Sequence, residues 1–142
     1  MTGSLRRPRR KPGENRELLL EAGLVEFGLL GYHGASTAAI ATRADVPQPH
    51  VYASFRTKQE LFFACFERAS MDVRMRTGGD APVTMQRMLL QAIASVHDPA
   101  LSGRLTGELD DLRSKIGAGA FGELVRTAAH SLIDSASPRT GV

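Results

Sequence analysis

The chain has 142 residues, 42% hydrophobic and 23% charged, with a formal net charge of +3. That length supports one domain or two small helical ones sharing an interface, and the lack of Trp with 6% aromatic content points to an aliphatic, helical core. No apolar run reaches the roughly 18 residues of a membrane span, no apolar stretch follows the basic N-terminus as a secretory signal requires, and a lone cysteine, Cys65, closes no internal disulfide, which fits a reducing cytoplasm.

Charge is uneven. Residues 1–58 hold nine Lys/Arg against five Asp/Glu, a net of +4, and residues 59–142 hold nine against ten, a net of −1. Arg6, Arg7, Arg9, Arg10 and Lys11 fall within six positions. A segment so charged and Pro-interrupted does not fold alone, so residues 1–13 are expected to be a flexible basic arm.

The first helix is predicted over about Glu14 to Leu30. Leu19, Gly23 and Phe27 recur every four residues, with Leu20 and Leu24 beside them, as an apolar stripe. Glu14, Glu17 and Glu21 lie on another face, and the first two suit the positive end of the helix dipole. Glu26 fits the apolar face poorly. Gly31 supplies the stop, and Tyr32 packs back or anchors the loop.

Residues 36–61 read STAAIATRADVPQPHVYASFRTKQEL and are the most informative stretch. Ser36 or Thr37 caps a second helix that runs to about Ala44 through small residues. Asp45 sits in a tight turn, where it tolerates a left-handed backbone, and Val46 plugs the turn. A third helix runs from near Pro47 to near Phe55, with Pro47 and Pro49 tolerated in its first turn. It carries Gln48, His50, Tyr52 and Ser54, polar groups that a small core does not need. Two helices joined by a tight turn, the second presenting polar groups outward, are a helix-turn-helix unit that fits the DNA major groove. Thr57, with Glu60 three residues later, forms a capping box opening a fourth helix, about Lys58 to Arg74. The break Thr77 to Pro82 follows. Further helices are predicted near Val83 to Val96, Pro99 to Ile116 and Ala120 to Ala136, and residues 137–142 form a loose tail.

Phe27, Gly31-Tyr32, Ser36-Thr37, Ile40-Ala41, Ala44, Val46, Tyr52, Phe55, Lys58 and Leu61 stand at the spacing of one family. On these residues the chain resembles the TetR family of bacterial transcriptional regulators over about residues 16–66. Asp45 departs from the family's usual Gly, Pro47 from a common capping Ser, and Pro49 from a common small residue. These departures bear on base reading more than on fold. The resemblance implies an all-α protein: a helix-turn-helix DNA-binding domain over 14–58, then a short helical effector-binding and dimerisation domain over 59–136. It implies a regulator, by family default a repressor, that binds a palindromic operator in double-stranded DNA as a homodimer and is released by a small apolar effector.

Under that resemblance the DNA-binding residues are Thr37, Arg43, Gln48, His50, Tyr52 and Lys58, with Arg9 and Arg10 of the arm. Gln48 offers paired donor and acceptor groups to an adenine edge, and His50 reaches a guanine or a phosphate. Lys58 and Thr37 stand at helix N-termini, where phosphates bind, and the arm follows phosphates or enters the minor groove. The Tyr52 hydroxyl suits a phosphate, with a core aromatic as the alternative; the alternatives for Arg43 and His50 are a solvated surface charge and a surface histidine. Phe121, Leu124, Val125, Ala128, Leu132 and Ile133 form the apolar face of the last helix, for a dimer interface or for packing within the chain. Met71, Met75, Met85 and Met88 line an adaptable pocket or belong to the ordinary core.

No cofactor or metal is expected: His33, His50, His97 and His130 share no metal-ligand spacing. Catalysis is not expected either, since Cys65 faces the buried side of its helix and no phosphate-cradling glycine loop is present. The alternative reading is a dimerising ligand- or protein-binding module that has lost sequence-specific DNA binding.

Overall fold

The computed structural model describes residues 10, 11, 13–76 and 80–138, and among them the chain forms seven α-helices. They are α1 (Glu14–Gly34), α2 (Thr37–Ala44), α3 (Gln48–Ser54), α4 (Lys58–Met75), α5 (Val83–Ala94), α6 (Ser102–Ile116) and α7 (Ala118–Ala136). Arg9, residues 77–79 of the expected break and residues 139–142 of the expected tail lie outside the described residues.

Side-chain caps set the boundaries in the first half. Ser36 Oγ accepts from the Ala39 amide at 3.0 Å and opens α2. Asp45 closes α2 in the left-handed region, with φ of 56°. Thr57 Oγ1 accepts from the Glu60 amide at 3.1 Å and opens α4. The return bond differs from a strict capping box: Glu60 Oε2 accepts from the Arg56 amide, not from that of Thr57.

Boundaries differ from the sequence-based expectation at three junctions, and α5 also stops at Ala94 rather than Val96. Gly31 breaks α1 at φ of 78°, but one more helical turn follows it to Gly34. The helix predicted from Pro99 begins at Ser102, because Asp98 Oδ1 accepts from the Ala100 amide at 2.9 Å and holds a turn there. At the next junction Gly117, at φ of 93°, turns the chain alone, and Ala118 and Gly119 join α7.

The core is continuous across the molecule. Leu19, Leu20, Phe27, Ile40, Phe62, Phe66, Met88, Leu89, Leu105 and Leu112 are all buried. α1 packs against α2, α4 and, most extensively, α5, and α5 in turn carries α7 on its other side. Two glycines permit the close crossings. A Cβ on Gly23 would lie 2.7 Å from Cys65 Sγ on α4, and one on Gly28 would lie 3.2 Å from Arg87 Cβ on α5. Gln91 of α5 donates to the Gly28 carbonyl at 3.1 Å across that second seam. Phe27, Tyr32 and Phe62 stack edge-on and parallel at ring separations of 5.1–6.5 Å, joining α1 to α4.

Candidate nucleic-acid interface

α3 is held from behind. Its Val51 and the following Phe55 are buried, whereas Gln48, Pro49, His50, Tyr52 and Ala53 are exposed. Pro47, at φ of −57°, enters the helix without strain, and its carbonyl accepts from the His50 amide at 2.9 Å. Tyr52 is 51% exposed, so it is not a core aromatic. The side chains that could touch a base therefore share the free surface of a short helix whose two apolar contacts fix its orientation.

Around α3 lie the other expected residues, and most are already engaged. Thr37 is half-buried in the first turn of α2. Lys58 opens α4 and is half-buried, with its ammonium 4.9 Å above the Tyr32 ring. Burial lowers the Lys58 pKa from its ordinary value. Burial also raises that of the Tyr32 hydroxyl, with the Asp98 charge adding to it. Arg43 donates through Nε to Glu26 Oε1 at 2.8 Å, which explains why an acid sits on the inner side of α1. Arg10 donates through Nη1 to Asn15 Oδ1 at 2.9 Å, and its Nη2 lies 3.8 Å from Asp45 Oδ2.

A groove of about 600 Å³ lies beside α3. Arg10, Lys11 and Arg16 line one side, and His50, Ala53 and Ser54 the other. Arg16 is held by its guanidinium carbon 5.0 Å above the Phe55 ring. Sequence reasoning passes over Arg16, because by periodicity it is one more exposed charge on α1. The available signal was its place in the first turn of a helix that follows directly on a basic run.

Residues 19–65, which span α1 to the middle of α4, match the family model of bacterial regulatory proteins, tetR family. Over this segment, about a third of the chain, the sequence is similar to that family. DNA binding and transcription regulation by a helix-turn-helix are that family's activity. No curated protein matches the chain. Among solved structures it is similar to a TetR-like transcriptional regulator from Rhodococcus sp. RHA1, at 20% identity, covering 87% of this chain and 75% of that one with a TM-score of 0.48. It is also similar to a TetR-family regulator from Streptomyces coelicolor A3, at 25% identity, covering 89% and 81% with a TM-score of 0.39.

Behind the segment that matches the tetR-family model, the residues expected at a pocket and a dimer interface differ in exposure. Met88 is buried in the core and Met85 packs against it, whereas Met71 and Met75 are 63% and 82% exposed. The four methionines therefore do not share one environment. A separate cleft of about 330 Å³ opens between α5, α6 and α7, lined by Ile93, Val96, His97, Leu109, Arg113 and Phe121 among others. On α7, Leu124 and Ala128 are buried within their own chain, Phe121 and Val125 pack partly against the core, Leu132 is half-buried, and Ile133 is 66% exposed. Arg87 of α5 donates to the Ser131 carbonyl and hydroxyl at 3.0 and 2.9 Å, fastening that inner side of α7.

Proposed function

We propose that this protein is a tetR-like transcription regulator, a homodimer whose two α3 helices read a palindromic operator, and that it represses transcription until a small apolar effector weakens that hold. The observation that carries the reading is the division of α3: Val51 and Phe55 are sealed inside while Gln48, His50 and Tyr52 stand free. In this reading Gln48 contacts a base edge, and His50 a base or phosphate. Tyr52, Thr37 and Lys58 hold phosphates, with the basic groove of Lys11 and Arg16 extending the contact along the backbone. Lys58 exchanges its aromatic contact, worth about 1–2 kcal/mol at a half-buried site, for a charge-assisted phosphate contact. Arg43 contributes mainly by fixing α2 through Glu26.

A dimer is required on physical grounds. A helix of seven residues reads only a few base pairs, and two related by symmetry read both halves of a palindrome. The flank of α7 that carries Ile133, Leu132 and Val125 is the part of the expected interface still able to meet a partner. The cleft between α5, α6 and α7 suits the effector better than the methionines do. An effector that prefers a dimer with wrongly spaced heads lowers operator affinity by that preference.

Selection of bound duplexes from a random pool tests the reading, with a salt titration of the selected site. A palindromic consensus whose half-sites lie about one helical turn apart is expected, with affinity falling steeply with salt. Recovery of no consensus, with the protein running as a monomer in sedimentation, would overturn it.

A further inference from the structure

We infer that Asp45 is a positioning residue for DNA binding, acting through Arg10 to hold the root of the basic arm beside the recognition helix; this rests on the DNA-binding reading above. Asp45 ends α2 and begins the turn to α3, in the left-handed backbone that keeps its position fixed relative to both helices. An acid at this spot is unfavourable in isolation, because the approaching duplex is densely negative. Its carboxylate, however, lies 3.8 Å from the Arg10 guanidinium. Asn15, in the first turn of α1, accepts from the other terminal nitrogen of the same guanidinium at 2.9 Å. Arg10 is thus gripped from two helices that belong to the reading head, and its side chain is only 28% exposed.

The consequence lies in what the grip aligns. Lys11 follows Arg10 directly, and both line the groove whose opposite side is His50, Ala53 and Ser54 of the α3 region. Arg6, Arg7 and Arg9 precede Arg10 in the sequence. Fixing Arg10 sets where Lys11 stands relative to α3. Arg10 therefore serves as the arm's anchor, and the phosphate contacts fall to its neighbours. The acid at residue 45 is useful because it holds Arg10 and thereby places Lys11.

A double-mutant cycle on duplex affinity tests this, using the full chain, Asp45→Asn, Arg10→Gln and the double variant against the selected duplex. Asn keeps the size of Asp and tolerates the left-handed backbone, and each variant's unfolding midpoint checks its fold. Exposed ion pairs contribute modestly, so Asp45→Asn is expected to weaken binding by about threefold in the natural background. In the Arg10→Gln background the same change should weaken binding clearly less, since the contact through which Asp45 acts is already gone. The slope of log affinity against log salt should become shallower by about one phosphate contact in Asp45→Asn, a change that simple destabilisation does not produce. If Asp45→Asn tightens binding equally in both backgrounds, Asp45 merely repels DNA and the inference fails. Equal weakening in both, with an unchanged salt slope, also overturns it. A natural protein that shows no salt-dependent duplex binding fails the DNA-binding reading itself, a separate result from either of these.

Discussion

Arg43 of α2 and Glu26 of α1 form an ion pair with Nε and Oε1 2.8 Å apart, and the Glu26 side chain is only 12% exposed. The pair ties the first helix of the helix-turn-helix to the helix behind it. Removing the cation leaves a largely desolvated carboxylate alone, which costs more than neutralising the carboxylate. Arg43→Ala should therefore lower the unfolding free energy by about 1 kcal/mol, with Glu26→Gln costing less. Urea unfolding of the two single variants and the double measures this. A purely additive cycle would show that the two side chains do not interact in solution.

Base contacts and phosphate contacts separate by the pattern of their loss. Gln48→Ala should cost roughly 1–3 kcal/mol at one base position and relax preference there alone. Lys58→Ala should weaken binding to every sequence alike and reduce the salt slope by about 1. Binding to a panel of single-base operator variants distinguishes the two. An unchanged preference in Gln48→Ala would remove Gln48 from the base-reading set.

The α1–α4 crossing depends on hydrogen as the side chain of residue 23. Gly23→Ala would gain helix propensity of about 1 kcal/mol, but its methyl would stand 2.7 Å from the buried Cys65 sulfur. Overpacking of that kind costs about 1–3 kcal/mol, so the single variant should be destabilised. In a Cys65→Ala background, Gly23→Ala should become neutral or stabilising. Thermal unfolding of the four proteins reads the reversal, and the same sign in both backgrounds would contradict the packing seen here.

Three carboxylates predict the acid limb of stability. Asp98 is held below its usual pKa by the Ala100 amide first and His33 second, and Asp111 by Lys115 and then Arg74. Glu17 is lowered chiefly by its hydrogen bond with Arg68. A group whose folded pKa is depressed stabilises fully above its unfolded pKa, about 3.9 for Asp and 4.3 for Glu. That stabilisation is lost as pH falls through the lower, folded values. Stability should be level with respect to these groups above about pH 5 and should decline below about pH 4. Asp98→Asn should show a shallower decline, followed as urea midpoint against pH. Parallel curves for the two proteins would contradict a depressed Asp98.

The helices were legible in the sequence wherever a local device announces them. Ser36, Thr57 and Asp45 act within four residues of themselves, so their caps and turn could be read from spacing alone. The exposed side of α3 was legible for the same reason: Val51 and Phe55 mark its inner side, leaving Gln48, His50 and Tyr52 outside. The contacts that set the site's electrostatics were not legible. Glu26 with Arg43, Arg10 with Asp45 and His33 with Asp98 join residues 17, 35 and 65 positions apart, and no periodicity encodes such pairs. Methionine spacing alone does not reveal that α4 turns Met71 and Met75 outward while Met88 is buried. The apolar face of α7 was visible, but only the fold reveals that α5 already occupies its inner side through Leu124 and Ala128.

The seam at Gly28, where α1 meets Thr84, Arg87 and Met88 of α5, makes α1 the common inner wall of the reading head and the rear half. Cutting the chain after the recognition helix would strip that wall of its lining. An engineer transplanting this head onto a different body must carry the inward-facing residues of α5 with it, or redesign them as a matched set.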